Sequence, residues 1–239
     1  MAAPADDVAD SFGDPTLPGV TLAVPVIPTI VDSKGLLVPA MRAWLGRVAA
    51  GANIHLKIQA ANFDRRSADM ARSADHCVLG YARLPAREDK ARWLAPVRRD
   101  RMIFVARHDD PFQGGLDAFM KAADGKVAAP SGVYREALAQ RGVEYVAIDD
   151  QRALARMVEA GRVRFGMLIA GSLNAPEVQA MQLRVVAEMP PQEFWFACSP
   201  LMPDSVAVSL TRALRDGHTE ALRRLAMAET PAEERTPTQ

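Results

Sequence analysis

Short runs of β-forming residues alternate with stretches of helical spacing along nearly the whole sequence. Strands that alternate with helices in this way predict parallel sheets covered on both faces, which is the α/β class. With 239 residues, two α/β units of about 100 residues each fit the chain better than one large sheet. The predicted strands are residues 20–26, 54–58, 77–82, 102–106, 126–129, 145–148, 165–169, 183–187 and 194–198.

The charge balance argues against large polyanionic partners. Lysine and arginine together number 29, as do aspartate and glutamate, so the formal net charge is zero. Without an overall basic field, we expect neither nucleic acid nor an anionic membrane surface as a partner. The longest apolar runs, such as residues 163–170, are far shorter than a membrane span.

The two ends of the sequence are polar and contain proline. Residues 1–17 and 229–239 are therefore expected to be poorly ordered tails. Residues 1–14 are small and acidic and lack the basic start and apolar core of an export signal. Either the protein is cytoplasmic, or a signal has been removed and Met1 starts a shortened chain.

The motifs of common α/β enzymes are missing from the sequence. There is no Gly-x-Ser-x-Gly elbow, no phosphate-binding loop and no glycine-rich dinucleotide fingerprint after the first predicted strand. The histidines are scattered and share no ligand spacing with the two cysteines. Together these observations favour binding over catalysis, with no cofactor and no metal.

One candidate anion-binding loop follows the predicted strand 126–129. Ser131 can cap the next helix, and the backbone N–H groups of Gly132 and Val133 would point at a carboxylate. The alternative is an ordinary turn between a strand and a helix, which is the commoner case.

A pair of arginines gives a second candidate. Arg83 and Arg87 lie just past the predicted strand 77–82, and ligands bind at the carboxyl ends of strands in open α/β sheets. A guanidinium there could hold a carboxylate through two parallel hydrogen bonds. The alternative is a solvated basic stretch, because more arginines follow between residues 92 and 101.

Three segments, in order, resemble type 2 periplasmic solute-binding proteins of the amino-acid-binding-like family. The longest is 75–96, DHCVLGYARLPAREDKARWLAP, and the others are 125–132, GKVAAPSG, and 159–166, EAGRVRFG. Order and spacing agree over about residues 20–227. The resemblance implies two α/β lobes joined by two crossing strands, with ligand held in the cleft between them. Lobe one would comprise 18–104 plus 194–239, and lobe two 105–193.

The same resemblance assigns candidate ligand-binding residues by position. Gly80, Ala82 and Arg87 would bind the ligand's carboxylate from lobe one, and lobe two would offer donors at Ser131, Gly132 and Val133. Further positions at the cleft are Arg65, Ile27, Ile30 and Ala170.

Two departures from the family pattern bear on the ligand. Ala82 stands where amino-acid binders place a hydroxyl, and Ala170 stands where they place the Asp that pairs with the α-ammonium group. Burying an ammonium group without that partner would cost several kcal/mol, as an order of magnitude. We therefore expect an organic acid or a partly apolar molecule rather than a standard amino acid.

In this family fold Cys77 and Cys198 would lie on neighbouring antiparallel strands. A disulfide between them is one outcome in an oxidising periplasm. Two apolar thiols are the expected outcome, because bridges between adjacent strands are strained.

The resemblance implies a monomeric, non-catalytic periplasmic protein that delivers a small molecule to a membrane permease. Alternatives are a ligand sensor for a membrane or partner protein, a carrier of hydrophobic ligands, and an enzyme on the same scaffold.

Overall fold

The computed structural model describes residues 10–122 and 127–227. The strands are β1 Ser11–Phe12, β2 Gly19–Val24, β3 His55–Ala60, β4 His76–Ala82, β5 Arg92–Asp100, β6 Met102–Arg107, β7 Val127–Ala129, β8 Tyr145–Ala147, β9 Phe165–Ile169, β10 Leu183–Glu188 and β11 Gln192–Cys198. The helices are α1 Pro39–Ala52, α2 Phe63–Arg72, α3 Leu116–Ala122, α4 Val133–Ala139, α5 Gln151–Glu159, α6 Pro176–Gln179, α7 Asp204–Leu214 and α8 Gly217–Ala226. Two 3₁₀ turns are Pro85–Lys90 and Ala170–Asn174.

The first sheet has the strand order β1-β3-β2-β4-β11-β5. Strand β2 runs parallel to β3 and β4, while β11 runs antiparallel to both β4 and β5. Helices α1, α7 and α8 pack against one another beside this sheet. The buried side chains of α1, Trp44 and Leu45 among them, join those of β2 and β3 in one apolar core, because helical spacing places them on one face.

The second sheet has the order β10-β6-β9-β7-β8. Strand β7 is parallel to β8 and β9, and β6 is antiparallel to β9 and β10. Phe104, Phe119 and Phe165 pack together in its core. The Phe104 and Phe119 rings are tilted with centroids 4.2 Å apart, and the Phe119 and Phe165 rings meet edge to face at 4.9 Å. The predicted α/β class and two-sheet organisation are therefore confirmed, but both sheets are mixed rather than parallel, because the strands at the two crossings run antiparallel to their neighbours.

The chain passes between the two sheets twice. It leaves the first sheet between Asp100 and Met102 and returns to it between Glu188 and Gln192. Residues 102–104, assigned from sequence to lobe one, lie in the second sheet, because β6 starts immediately after the first crossing. Below, "first lobe" means the first sheet with α1, α2, α7 and α8, and "second lobe" means the second sheet with α3 to α6.

The expectation that residues 1–17 form a poorly ordered tail is wrong for the part that the structure describes. Asp10 is buried, forms an ion pair with Arg42 at 2.6 Å, and accepts a hydrogen bond from the backbone N–H of Leu37. Strand β1 then pairs antiparallel with β3. Residues 1–9 and 229–239 lie outside the described residues.

Cys77 and Cys198 form a disulfide, so the expectation of two free thiols is wrong. The two residues face each other directly in the antiparallel pairing of β4 and β11, and their Cα atoms are 3.9 Å apart. This register brings the two sulfurs together, and both residues are fully buried. The bridge ties the returning strand to the first sheet.

A glycine at the start of α4 allows a close approach between the lobes. Gly132 has a φ of +81°, and a Cβ atom placed there would lie 2.4 Å from Cγ of Phe63 on α2. A side chain at this position would be strained by its backbone conformation and would also overlap the ring.

None of the helices within the two described ranges is long and apolar enough to cross a membrane.

Removing the disulfide is expected to lower the free energy of unfolding by about 2–5 kcal/mol, because the bridge spans a long stretch of chain. The double variant Cys77→Ala/Cys198→Ala and the native protein should be compared by urea unfolding with and without reductant. Reductant should destabilise the native protein and leave the variant unchanged. Equal stability of native and variant proteins without reductant would contradict the bridge.

Gly132→Ala is expected to destabilise the protein more than Gly142→Ala. Gly142 also has a positive φ, +67°, but nothing lies within 4 Å of the added methyl group. Gly142→Ala should therefore lower the free energy of unfolding only by the cost of a left-handed backbone conformation in alanine, about 1–2 kcal/mol. Gly132→Ala adds the overlap with Phe63. Urea unfolding measures both, and equal losses would show that the lobes do not meet here.

Candidate functional site

A cavity lies between the two lobes at the carboxyl ends of their parallel strands. The first lobe contributes the segments that follow β2 and β3, and the second lobe contributes those that follow β7 and β8 together with Ile169, the last residue of β9. Strand β4 and the crossing strands β5 and β11 complete the wall. This is where open α/β sheets hold ligands. Inside, about 70 Å³ is open to the centres of water-sized molecules, which is room for several waters or a small solute.

Most of the residues predicted from the sequence line this cavity. Those present in its wall are Ile27, Ile30, Gly80, Ala82, Arg87, Ser131 and Val133. The structure thus brings both lobes' predicted residues together around one space.

Three predicted residues lie elsewhere. The Arg65 side chain is 45% exposed and lies 3.6 Å from the carboxylate of Asp69. Gly132 packs on Phe63, and Ala170 donates its N–H to the carbonyl of Arg101 at the crossing. The sequence pointed to Arg65, but the next residue, Arg66, lines the cavity. Successive residues of a helix point about 100° apart, so only one of these two neighbours on α2 can face the cavity.

Arg66 is a buried cavity residue that the sequence analysis did not identify. It is only 6% exposed, and its Nη1 donates to the backbone carbonyl of Leu79 at 2.9 Å. Its Nε has no hydrogen-bond partner among the described residues. Burial lowers the pKa of Arg66 to about 10, because an apolar surrounding disfavours the charged form, yet the group stays cationic at neutral pH.

Arg87 joins the two lobes at the edge of the cavity. It is 5% exposed, and its Nη2 donates to the Glu136 carboxylate on α4. Its guanidinium carbon lies 4.5 Å from the ring centroid of Phe63 and 5.1 Å from that of Tyr81, a favourable cation–π geometry. Its Nη1 has no partner within the described part of the chain.

The predicted donors of Ser131 are already used inside the protein. Its N–H and its hydroxyl both donate to Oδ1 of Asp149, at 2.9 Å and 2.6 Å. Asp149 lines the cavity, whereas the next residue, Asp150, caps α5 by accepting from the N–H of Arg152. A polar residue soon after a parallel strand was the signal that could have identified Asp149 from the sequence.

A buried hydrogen-bond network forms the floor on the second-lobe side. Gln151 donates through Nε2 to the hydroxyl of Tyr134 at 3.0 Å and accepts at Oε1 from the N–H of Ile169 and the hydroxyl of Ser172. Burial raises the pKa of Tyr134, which keeps the hydroxyl neutral and able to donate a hydrogen bond.

A third arginine reaches the cavity from the crossing. Arg98 on β5 lines it and forms a buried ion pair with Asp100. Asp100 also accepts from the N–H of Gly171 at 3.2 Å. A Cβ atom at position 171 would lie 1.5 Å from Arg98 Nη2, so the guanidinium occupies the space that a side chain there would need.

The wall is otherwise apolar, and its polar atoms are mainly hydrogen-bond donors. Such a cavity can bind a small solute that carries an acceptor or an anionic group at one end. In the described ranges no group of three or more His, Cys, Asp or Glu side chains is placed to hold a metal ion.

Neither the protein-family models nor the curated proteins include a match to this sequence. Solved structures do match it. A P235GK mutant of ArgBP from T. maritima has a TM-score of 0.74 at 16% identity and covers 88% of this chain and 96% of its own. A histidine kinase sensor domain described as similar to periplasmic binding proteins has a TM-score of 0.71 at 17% identity, with coverage of 87% and 95%.

A third similar structure is the GluR0 ligand-binding core from Nostoc punctiforme in complex with L-glutamate. Its TM-score is 0.69 at 13% identity, with coverage of 86% of this chain and 98% of that one. All three matches extend over nearly the full length of the solved chain. The protein therefore has the two-lobed fold of the type 2 periplasmic solute-binding proteins.

Proposed function

We propose that this protein is a non-catalytic periplasmic binding protein. It captures a small solute in the cleft between its lobes and delivers it to a membrane transporter. The observation that carries the proposal is the cavity at the strand ends, which is lined from both lobes and by buried arginines. Two of them, Arg66 and Arg87, each have one N–H group without a partner among the described residues. Buried donors without acceptors are costly, and a ligand acceptor would remove that cost.

The wall favours an organic acid or a partly apolar ligand over a standard amino acid. Ile27, Ile30, Val133, Ile169 and Phe194 contribute aliphatic and aromatic surface. No acid follows β9, where the chain continues with alanine and glycine. Asp149 is the carboxylate that a ligand ammonium group could reach, but it already accepts both hydrogen bonds from Ser131.

Contacts across the cleft support closure of the lobes around the ligand. Arg135 on α4 pairs with Asp64 on α2 at 2.8 Å. Arg152 on α5 donates to the carbonyls of Pro28 and Val31, in the loop after β2. Both sets of contacts depend on the two lobes being close, as expected of a hinge motion about the two crossings.

The buried disulfide fits an oxidising compartment such as the periplasm. The protein acts as a monomer, with Arg87 and the β4 residues Gly80 and Ala82 meeting the ligand from the first lobe. Ser131 and Val133 meet it from the second.

A ligand sensor is the second candidate function. The similarity to a histidine kinase sensor domain supports it, because the same closure can be transmitted to a partner protein. A hydrophobic-ligand carrier is disfavoured by the arginines in the wall. An enzyme on this scaffold is disfavoured because arginine, amide and aliphatic side chains are poor general acids and general bases.

A thermal-shift screen of organic acids, amino acids and lipophilic compounds tests the proposal. A true ligand binds only the folded protein and raises Tm, by about 2–4 °C per kcal/mol for a chain of this size. Acids with an apolar body should give the largest shifts, without turnover of the ligand. A leading α-amino acid would contradict the ligand class, and no shift with any compound would contradict the function.

Arg87→Ala is expected to weaken binding of the ligand found in that screen by about tenfold or more, because it removes a charged donor and the contact with Glu136. Isothermal titration calorimetry measures the change. Arg83→Ala is the matched control, since Arg83 lies outside the cavity and pairs with Glu88. Unchanged affinity in Arg87→Ala would remove Arg87 from the site.

A further inference from the structure

Three guanidinium groups line the cavity, and they differ in how their charge is balanced. Arg87 is paired with Glu136, and Arg98 is paired with Asp100. Arg66 forms no ion pair with a carboxylate anywhere in residues 10–122 and 127–227, and holds only the carbonyl of Leu79. A nine-tenths buried cation without an anionic partner is unfavourable, so Arg66 is the group that a bound anion would stabilise most.

The carboxylate of the cavity wall does not supply that partner. Asp149 lies beyond ion-pairing distance of Arg66, and its Oδ1 accepts both donors of Ser131. It interacts with Arg66 only at longer range, as a secondary influence on the arginine.

We infer that Arg66 is the residue that selects the charge of the ligand, and that the cleft takes monocarboxylates with a small apolar body. The ligand carboxylate pairs with the guanidinium of Arg66 and accepts a second hydrogen bond from that of Arg87. Each of these groups has one nitrogen, Nε of Arg66 and Nη1 of Arg87, without a partner among the described residues. Arg87 contributes a hydrogen bond, but its charge is already balanced by Glu136. This assignment rests on the proposed function and names the substrate class of the same site.

The rest of the wall limits the ligand to one charge. The surfaces of Ile27, Ile30, Val133 and Phe194 face the same space, and a second carboxylate placed among them would lose its hydration without gaining a partner. A dicarboxylate should therefore bind more weakly than the matching monocarboxylate.

The test compares each acid with its own uncharged amide. The probes are 3-methylbutanoate, hexanoate and phenylacetate, each beside its primary amide, and titration calorimetry gives the two affinities. The ratio of acid to amide affinity isolates the charge, because both members of a pair fill the cavity alike and close the lobes alike. For the native protein the acid should bind about ten- to a hundredfold more tightly, as expected for a hydrogen bond to a charged group.

Three variants locate the source of that ratio. Arg66→Gln should bring the ratio close to one while amide binding persists, which also shows that the variant is folded. Arg65→Gln, the same change one residue away and outside the cavity, should leave the ratio unchanged. Glu136→Gln should increase the ratio, because it leaves the charge of Arg87 unbalanced.

Several outcomes would overturn the inference. A native ratio near one, an unchanged ratio in Arg66→Gln, or an unchanged ratio in Glu136→Gln each contradicts the charge assignment. Tighter binding of valine than of 3-methylbutanoate, its deaminated counterpart, would instead assign Asp149 to an ammonium group. If none of the acids binds but another solute raises Tm, the substrate class is wrong and the proposed function stands.

Discussion

The antiparallel insertion of β11 between β4 and β5 is the interaction on which the two-lobed arrangement depends. The chain leaves the first sheet through β5, builds the whole second sheet, and returns through β11 to complete the first. Both crossings therefore lie side by side. The disulfide between Cys77 and Cys198 attaches the returning strand to β4, so that the second lobe is anchored at both ends to one rigid sheet.

This arrangement also creates the chemistry of the cleft. Parallel strands of both lobes end at the same space, and each strand end delivers polar groups into it: Arg66 after β3, Ser131 after β7 and Asp149 after β8. Closure removes these groups from water. Ser131 finds its partner in Asp149, whereas Nε of Arg66 and Nη1 of Arg87 have none among the described residues. In the proposed function, a ligand acceptor would complete this hydrogen-bond network.

The sequence predicted the α/β class, the positions of most strands and seven cavity residues, because alternation and strand ends are local properties. It missed β5, which contains Pro96, because the arginines between residues 92 and 101 were also consistent with a solvated basic stretch. An edge strand tolerates proline, and β5 is at the edge of its sheet. The choice of Arg65 over Arg66 failed because the rotation of a short helix about its axis depends on packing that the sequence does not display.

Other misses have tertiary causes. The disulfide depends on the register of β4 against β11, and the order of Asp10 depends on Arg42, which is distant in sequence. The pairing of Arg87 with Glu136 joins residues from different lobes. Such contacts decide which charges in the cleft are balanced, and for that reason the fold was predictable from residue patterns while the charge state of the site was not.

The most direct measurement is a crystal structure of the protein with the acid that gives the largest thermal shift. The account predicts closed lobes, one ligand in the cavity, and a carboxylate oxygen within hydrogen-bond distance of the Arg66 guanidinium. A ligand bound outside the interlobe cavity, or one whose carboxylate points away from Arg66, would contradict it.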